Sequence, residues 1–166
     1  MEPEVPARTP AHDQVDAVKA EYGRLLSDVI HRIEWSALFD ASVPQTRAFA
    51  MALLAWDERE ESATVGDLAT LAARVVSSFQ AARAEAERRG LNHLDRSDRQ
   101  TARRALKALR LAADESATRE ERRAALSRAQ KLLGSLRLHF LPSPEDLPRL
   151  AAGDHLPELP WKPHDS

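Results

Sequence analysis

Residues 97–140 read SDRQTARRALKALRLAADESATREERRAALSRAQKLLGSLRLHF, and this stretch decides the fold. Ser97 precedes Gln100 by three residues, and Thr118 precedes Glu121 by three. In a capping box the first side chain accepts from the backbone of the fourth residue and the fourth returns the bond, so each pair predicts a helix start. Ala102, Ala105, Leu106, Leu109 and Ala113 then recur at helical spacing, as do Ala125, Ala129, Leu132 and Leu136. The link Asp114–Ala117 is short, and short links join antiparallel neighbours. The segment predicts a helix hairpin over 98–139.

Working outward, the same signals recur. Ser42–Gln45 and Thr64–Asp67 are two further boxes, Pro44 suits a first helical turn, and Thr9 followed by Pro10 opens an earlier helix. Val15, Val18, Tyr22, Leu25, Val29 and Ile33 form one apolar stripe, predicting a helix over about 11–39. Phe49, Leu53, Leu54 and Trp56 predict a second over about 43–60. Leu68, Ala72, Val75, Phe79, Ala82 and Ala86 predict a third over about 65–89, ended by Gly90. The expectation is an all-α fold, a five-helix bundle over 11–140 after a flexible N-terminus at 1–10. Alanine stands where a core often carries leucine, which lets helices approach closely but buries less area. A second copy or a partner protein is one way to add stability to such a fold.

Beyond Phe140 the character changes. Residues 141–166 hold six of the 10 prolines, which forbid a regular helix. Leu147, Leu150, Leu156, Leu159 and Trp161 recur through them, unlike a solvating tail. The expectation is an extended proline-rich strap packed in cis or docked in trans, with Trp161 as its docking anchor.

The net charge of −2 conceals a partition. Residues 1–82 carry −6, residues 83–140 carry +7 and residues 141–166 carry −3. Arg99, Arg103, Lys107 and Arg110 form a stripe at spacings of four, four and three, with Arg104 beside it. Arg122, Arg123 and Lys131 add to it from the next helix. These eight residues are the candidate binding face. Such a stripe suits a nucleic-acid backbone, an acidic protein partner or plain solvent. No aromatic residue lies in 80–139, which disfavours base stacking. Arginine outnumbers lysine 20 to 4, which fits either forked recognition of anions or the codon bias of a GC-rich genome.

Other chemistry is thinly represented. There is no cysteine, hence no disulfide or thiolate chemistry. The six histidines show no helical zinc spacing, and neither GxxxxGK[ST] nor GxGxxG occurs. His31 and His139 read as structural residues, and the acidic run Asp57–Glu61 as a solvated helix end. No catalytic set, cofactor, metal or small-molecule substrate is expected, so the chain reads as a non-catalytic binding or assembly subunit. With no membrane-length apolar run and an acidic, proline-rich start, a cytoplasmic location is expected.

The stretch TVGDLATLAARVVSSFQAARAEAERRGL, Thr64 to Leu91, resembles the helix-turn-helix core of MarR-like winged-helix repressors. Asp95-Arg96-Ser97-Asp98-Arg99 resembles the wing of that family. The resemblance implies a DNA-binding transcriptional regulator with Ser77, Ser78, Gln80, Ala81 and Arg83 at the major groove. The chain departs from that pattern in having Ala73 at the usual turn glycine and Val75 where a cap is wanted. Its apolar period runs on through the turn, which predicts one continuous helix instead.

Overall fold

The computed structural model describes residues 7–136. Among the described residues six α-helices and two short 3-10 turns follow one another with no strand. The helices are α1 (Pro10–Ser27), α2 (Val29–Glu34), α3 (Pro44–Arg59), α4 (Val65–Arg89), α5 (Arg96–Ala113) and α6 (Arg119–Ser135). The 3-10 turns, Ser36–Phe39 and Gly90–His93, precede α3 and α5. The N-terminal residues 1–6 and the C-terminal strap with Trp161 lie outside the described residues.

The expected first helix is two helices. At Asp28 the backbone turns extended, with φ −93 and ψ 108. Its carboxylate accepts from Ile30 N at 2.9 Å and His31 N at 3.4 Å, and its other oxygen meets His31 Nδ1 at 2.7 Å. Asp28 therefore caps α2 in place of continuing α1, because a carboxylate satisfies amides that a helix start leaves open. The apolar spacing hid this break, since Val29 and Ile33 continue the period of Val15 to Leu25.

The break divides the stripe between two cores. Val15, Val18 and Leu25 pack with Leu38, Phe49, Leu53, Trp56, Leu71, Val75 and Phe79. Val29 and Ile33 instead join Leu94, Ala102, Ala105, Leu106, Leu109, Ala129, Leu133 and Leu136. The first core is aromatic, with ring centroids 5.3 Å apart for Tyr22 and Phe49 and 5.1 Å for Phe49 and Phe79. The second is built of alanine and leucine, with Ala102, Ala105 and Ala129 sealed from solvent. Alanines there let α5 and α6 run close along their lengths.

Helix starts follow the boxes unevenly. Thr118 accepts from Glu121 N at 3.2 Å while Glu121 accepts from Thr118 N at 2.9 Å, a complete box. Thr64 accepts from Asp67 N at 3.1 Å. The other two expected boxes do not form. Val43 holds the N-cap position of α3, while Ser42 N donates to Asp40 at 2.9 Å. Asp95 holds that of α5, so Ser97 falls inside the first turn. Both starts are set by the 3-10 turn before them, which buries Val43 and Leu94 as the chain enters the helix. Gly90 ends α4 with φ +50, a conformation that needs no Cβ.

At that end of α4, Glu85 bonds Arg88 Nη2 at 2.6 Å and Arg89 Nε at 2.7 Å. These bonds hold its carboxyl down to about 2 from the ordinary 4.5. A depressed carboxyl contributes stability at pH above 4.5 that is lost as pH falls towards 2. Acid unfolding of Glu85→Gln should show a flatter limb across that window than the parent chain. Asp28→Ala should lower unfolding free energy by about 1 kcal/mol in urea titration, the usual worth of an N-cap.

Candidate binding surface on the basic hairpin

The α5–α6 hairpin is closed by an Asx turn. Asp114 accepts from Ser116 N at 2.9 Å and from Ser116 Oγ at 2.7 Å, which holds its carboxyl below the ordinary range. Residues 96–136 carry 11 Lys/Arg against five Asp/Glu, a net +6. With the apolar side of each helix turned to the second core, the cations are left at its edges and outer face.

The structure sorts the eight expected face residues into two groups. Arg103, Arg104, Lys107, Arg123 and Lys131 are exposed. None has a carboxylate within 4.0 Å among the described residues. Arg128, from the same helix as Arg123, joins them. Of the other three, Arg99 and Arg110 are engaged by the chain itself and Arg122 is partly buried. Arg99 is half-buried and donates to the Leu94 carbonyl at 3.2 Å, fastening the turn before α5. Arg122 is half-buried with its Nε sealed and unpartnered. Arg110 is paired with Glu34 of α2, joining the hairpin to the rest of the molecule.

Several cations elsewhere are paired, although the exposed Arg47, Arg59 and Arg74 likewise have no carboxylate within 4.0 Å among the described residues. Lys19 pairs with Asp57 at 2.7 Å, Arg24 with Glu21 at 2.8 Å, and Arg83 with Glu21 at 3.4 Å and Glu87 at 3.2 Å. These pairs form where acids and bases are interleaved along α1, α3 and α4. On α5, between Arg99 and Arg110, no acid occurs at all.

Beside the stripe lies an open depression lined by Glu34, Trp35, Leu91, Arg103, Leu106 and Arg110. It brings Trp35, from the turn after α2, near two of the stripe cations. Spacing on α5 alone held no signal for this, because Trp35 and Leu91 arrive through tertiary packing.

The geometry implied by a winged helix is absent. α4 continues through Ala73 and Val75, and residues 90–99 form a 3-10 turn and a helix start where a wing needs strands. The unbroken apolar face of α4 packs on the first core and leaves no register for a turn. Ser78 is half-buried. Arg83 lies over the Trp35 ring at 5.3 Å and is paired with Glu21 and Glu87.

Among the described residues no group of three or more His, Asp and Glu is placed to hold a metal ion. No described helix is long and apolar enough to cross a membrane. His31 stacks edge-on to Trp35 at 4.7 Å and bonds Asp28, a structural placement. His139 lies outside the described residues. His93 Nε2 meets Asp40 Oδ2 at 2.8 Å, tying the two 3-10 turns together. Comparison with known proteins finds no matching family model, curated protein or solved structure.

The two faces of α5 should respond oppositely to substitution. Ala105→Leu, adding methylenes to a sealed site, should cost about 1–3 kcal/mol in chemical denaturation. Arg104→Ala, on the outer face, should stay within about 0.5 kcal/mol of the parent.

Proposed function

We propose that the chain is a non-catalytic helical-bundle subunit that binds or assembles through its basic hairpin. Its partner presents a line of negative charge, as an acidic protein surface or a nucleic-acid backbone does. One observation carries this reading. Arg103, Arg104 and Lys107 on α5, with Arg123, Arg128 and Lys131 on α6, stand exposed without a carboxylate among the described residues.

The physical argument is one of compensation. Like charges on adjacent helices repel, and exposed ion pairs elsewhere in the molecule relieve that repulsion locally. For these six hairpin cations no carboxylate within 4.0 Å does so among the described residues. An external anion would supply the missing compensation and release counterions as it binds. The cations are held on paired helices packed against a sealed core, so little conformational freedom of the backbone is lost on association. With no aromatic residue in 80–139, contact would be with backbone phosphates or carboxylates and not with stacked bases.

The test is binding of the full chain to a duplex DNA and to poly-glutamate at graded salt. Three or four phosphate contacts predict a loss of affinity on the order of 100-fold between 50 and 200 mM salt. The triple substitution Arg103→Glu, Arg104→Glu and Lys107→Glu should abolish that binding while leaving the thermal transition in place. Equal binding by parent and triple variant would reject the hairpin as the surface. Selective retention of DNA or of poly-glutamate identifies the class of partner.

A further inference from the structure

Arg32 is the charged residue buried most deeply among the described residues, at 7% exposed. Its guanidinium lies over the Phe39 ring at 5.8 Å. It has no carboxylate and no hydrogen-bond acceptor among the described residues. That is unusual, because a buried charge without a partner loses hydration and gains nothing in return. Burial accordingly draws Arg32 down to about 10, still fully cationic at neutral pH.

A second unpartnered donor packs against the same ring. Tyr22, on α1, packs its ring at 5.7 Å from Phe39 and 5.3 Å from Phe49. Its hydroxyl has no hydrogen-bond partner among the described residues. Burial pushes this phenol up to about 12, with Arg32 opposing the shift. At neutral pH it is therefore a neutral O–H donor. Among the described residues the side-chain atoms both sealed and unpartnered are Ser36 Oγ, Gln45 Oε1, Arg99 Nε and Arg122 Nε. The donors of Arg32 and Tyr22 are not among these, so they are not wholly sealed from solvent.

We propose that Arg32 and the Tyr22 hydroxyl form a carboxylate-binding site walled by Phe39. A guanidinium fork matches the two oxygens of a planar carboxylate, and the phenol adds a further donor. A phosphate would bring more oxygens and more charge than these donors satisfy, against an aromatic wall that offers none. The single charge of a carboxylate balances the single charge of Arg32. The site is separate from the α5–α6 cations and does not depend on what they bind.

The experiment follows the Arg32 Nε–Hε resonance of the full chain while sodium acetate is added at constant ionic strength. A saturable shift, with a higher Tm in acetate than in chloride or phosphate, is expected. Arg32→Lys keeps the charge and removes the fork, and should weaken acetate binding at least tenfold. Tyr22→Phe should weaken it by roughly 3- to 10-fold, the worth of one hydrogen bond. A response in parent that either chloride or Arg32→Lys reproduces overturns the proposal, as does no saturable response. Poly-glutamate added to the Arg103→Glu, Arg104→Glu, Lys107→Glu background separates the sources. Tighter binding per carboxylate than acetate, still lost in Arg32→Lys, points to an acidic protein chain. Binding of acetate alone points to a small free carboxylate. Failure of both at Arg32 rejects the site while leaving the hairpin reading untouched.

Discussion

The carboxylate of Asp28 accepts the backbone amides of Ile30 and His31, and much of the architecture depends on that bond. Without it the apolar stripe from Val15 to Ile33 would be one straight face, able to serve only one core. By capping α2 the carboxylate lets the chain bend after Ser27 while the amides at the bend remain satisfied. Val15, Val18 and Leu25 then serve the aromatic core, and Val29 and Ile33 serve the alanine–leucine core. The short α2 is where the two meet, and the connections that follow inherit its geometry.

From this division come the positions of the charges. α5 and α6 use their alanine-rich sides on the second core, so their arginines and lysines are left outside with few acids within reach. Arg110 reaches back to Glu34 on α2, and Arg99 is spent on the turn that enters α5. Trp35, immediately after α2, packs against the first core, has Arg83 over its ring and lines the depression beside Arg103. Arg32, one turn earlier, is carried inward against Phe39. The exposed stripe and the buried arginine are thus two consequences of the same bend.

Arg32 also shows why a buried cation is informative where an exposed one is not. The exposed stripe is solvated, so its lack of partners costs little and constrains function only loosely. Arg32 has exchanged most of its water for an aromatic ring, and the ring returns only part of what hydration supplied. A donor pair left open in such a place is a more selective feature than a larger number of open charges in water.

The sequence by itself determined the helical class and most helix bounds. The α4 span, the Gly90 stop, the complete Thr118–Glu121 cap and the alanine seam of the hairpin all rest on interactions within a few residues, which local spacing records. The separation of charge was equally legible, since it is a property of order along the chain. Tertiary structure alone decided the rest. It broke the first helix at Asp28, where periodicity ran straight through, because a cap and an apolar period can coexist in one stretch. It replaced Ser42 and Ser97 as helix starts with Val43 and Asp95, where the burial of Val43 and of Leu94 fixes the entry of the chain into each helix. It left five of the eight expected face residues exposed and unpaired, engaged Arg99 and Arg110 and partly buried Arg122, and it packed Arg32 and Tyr22 against the same Phe39 ring. Partners many residues apart set those outcomes, through packing that no local pattern encodes.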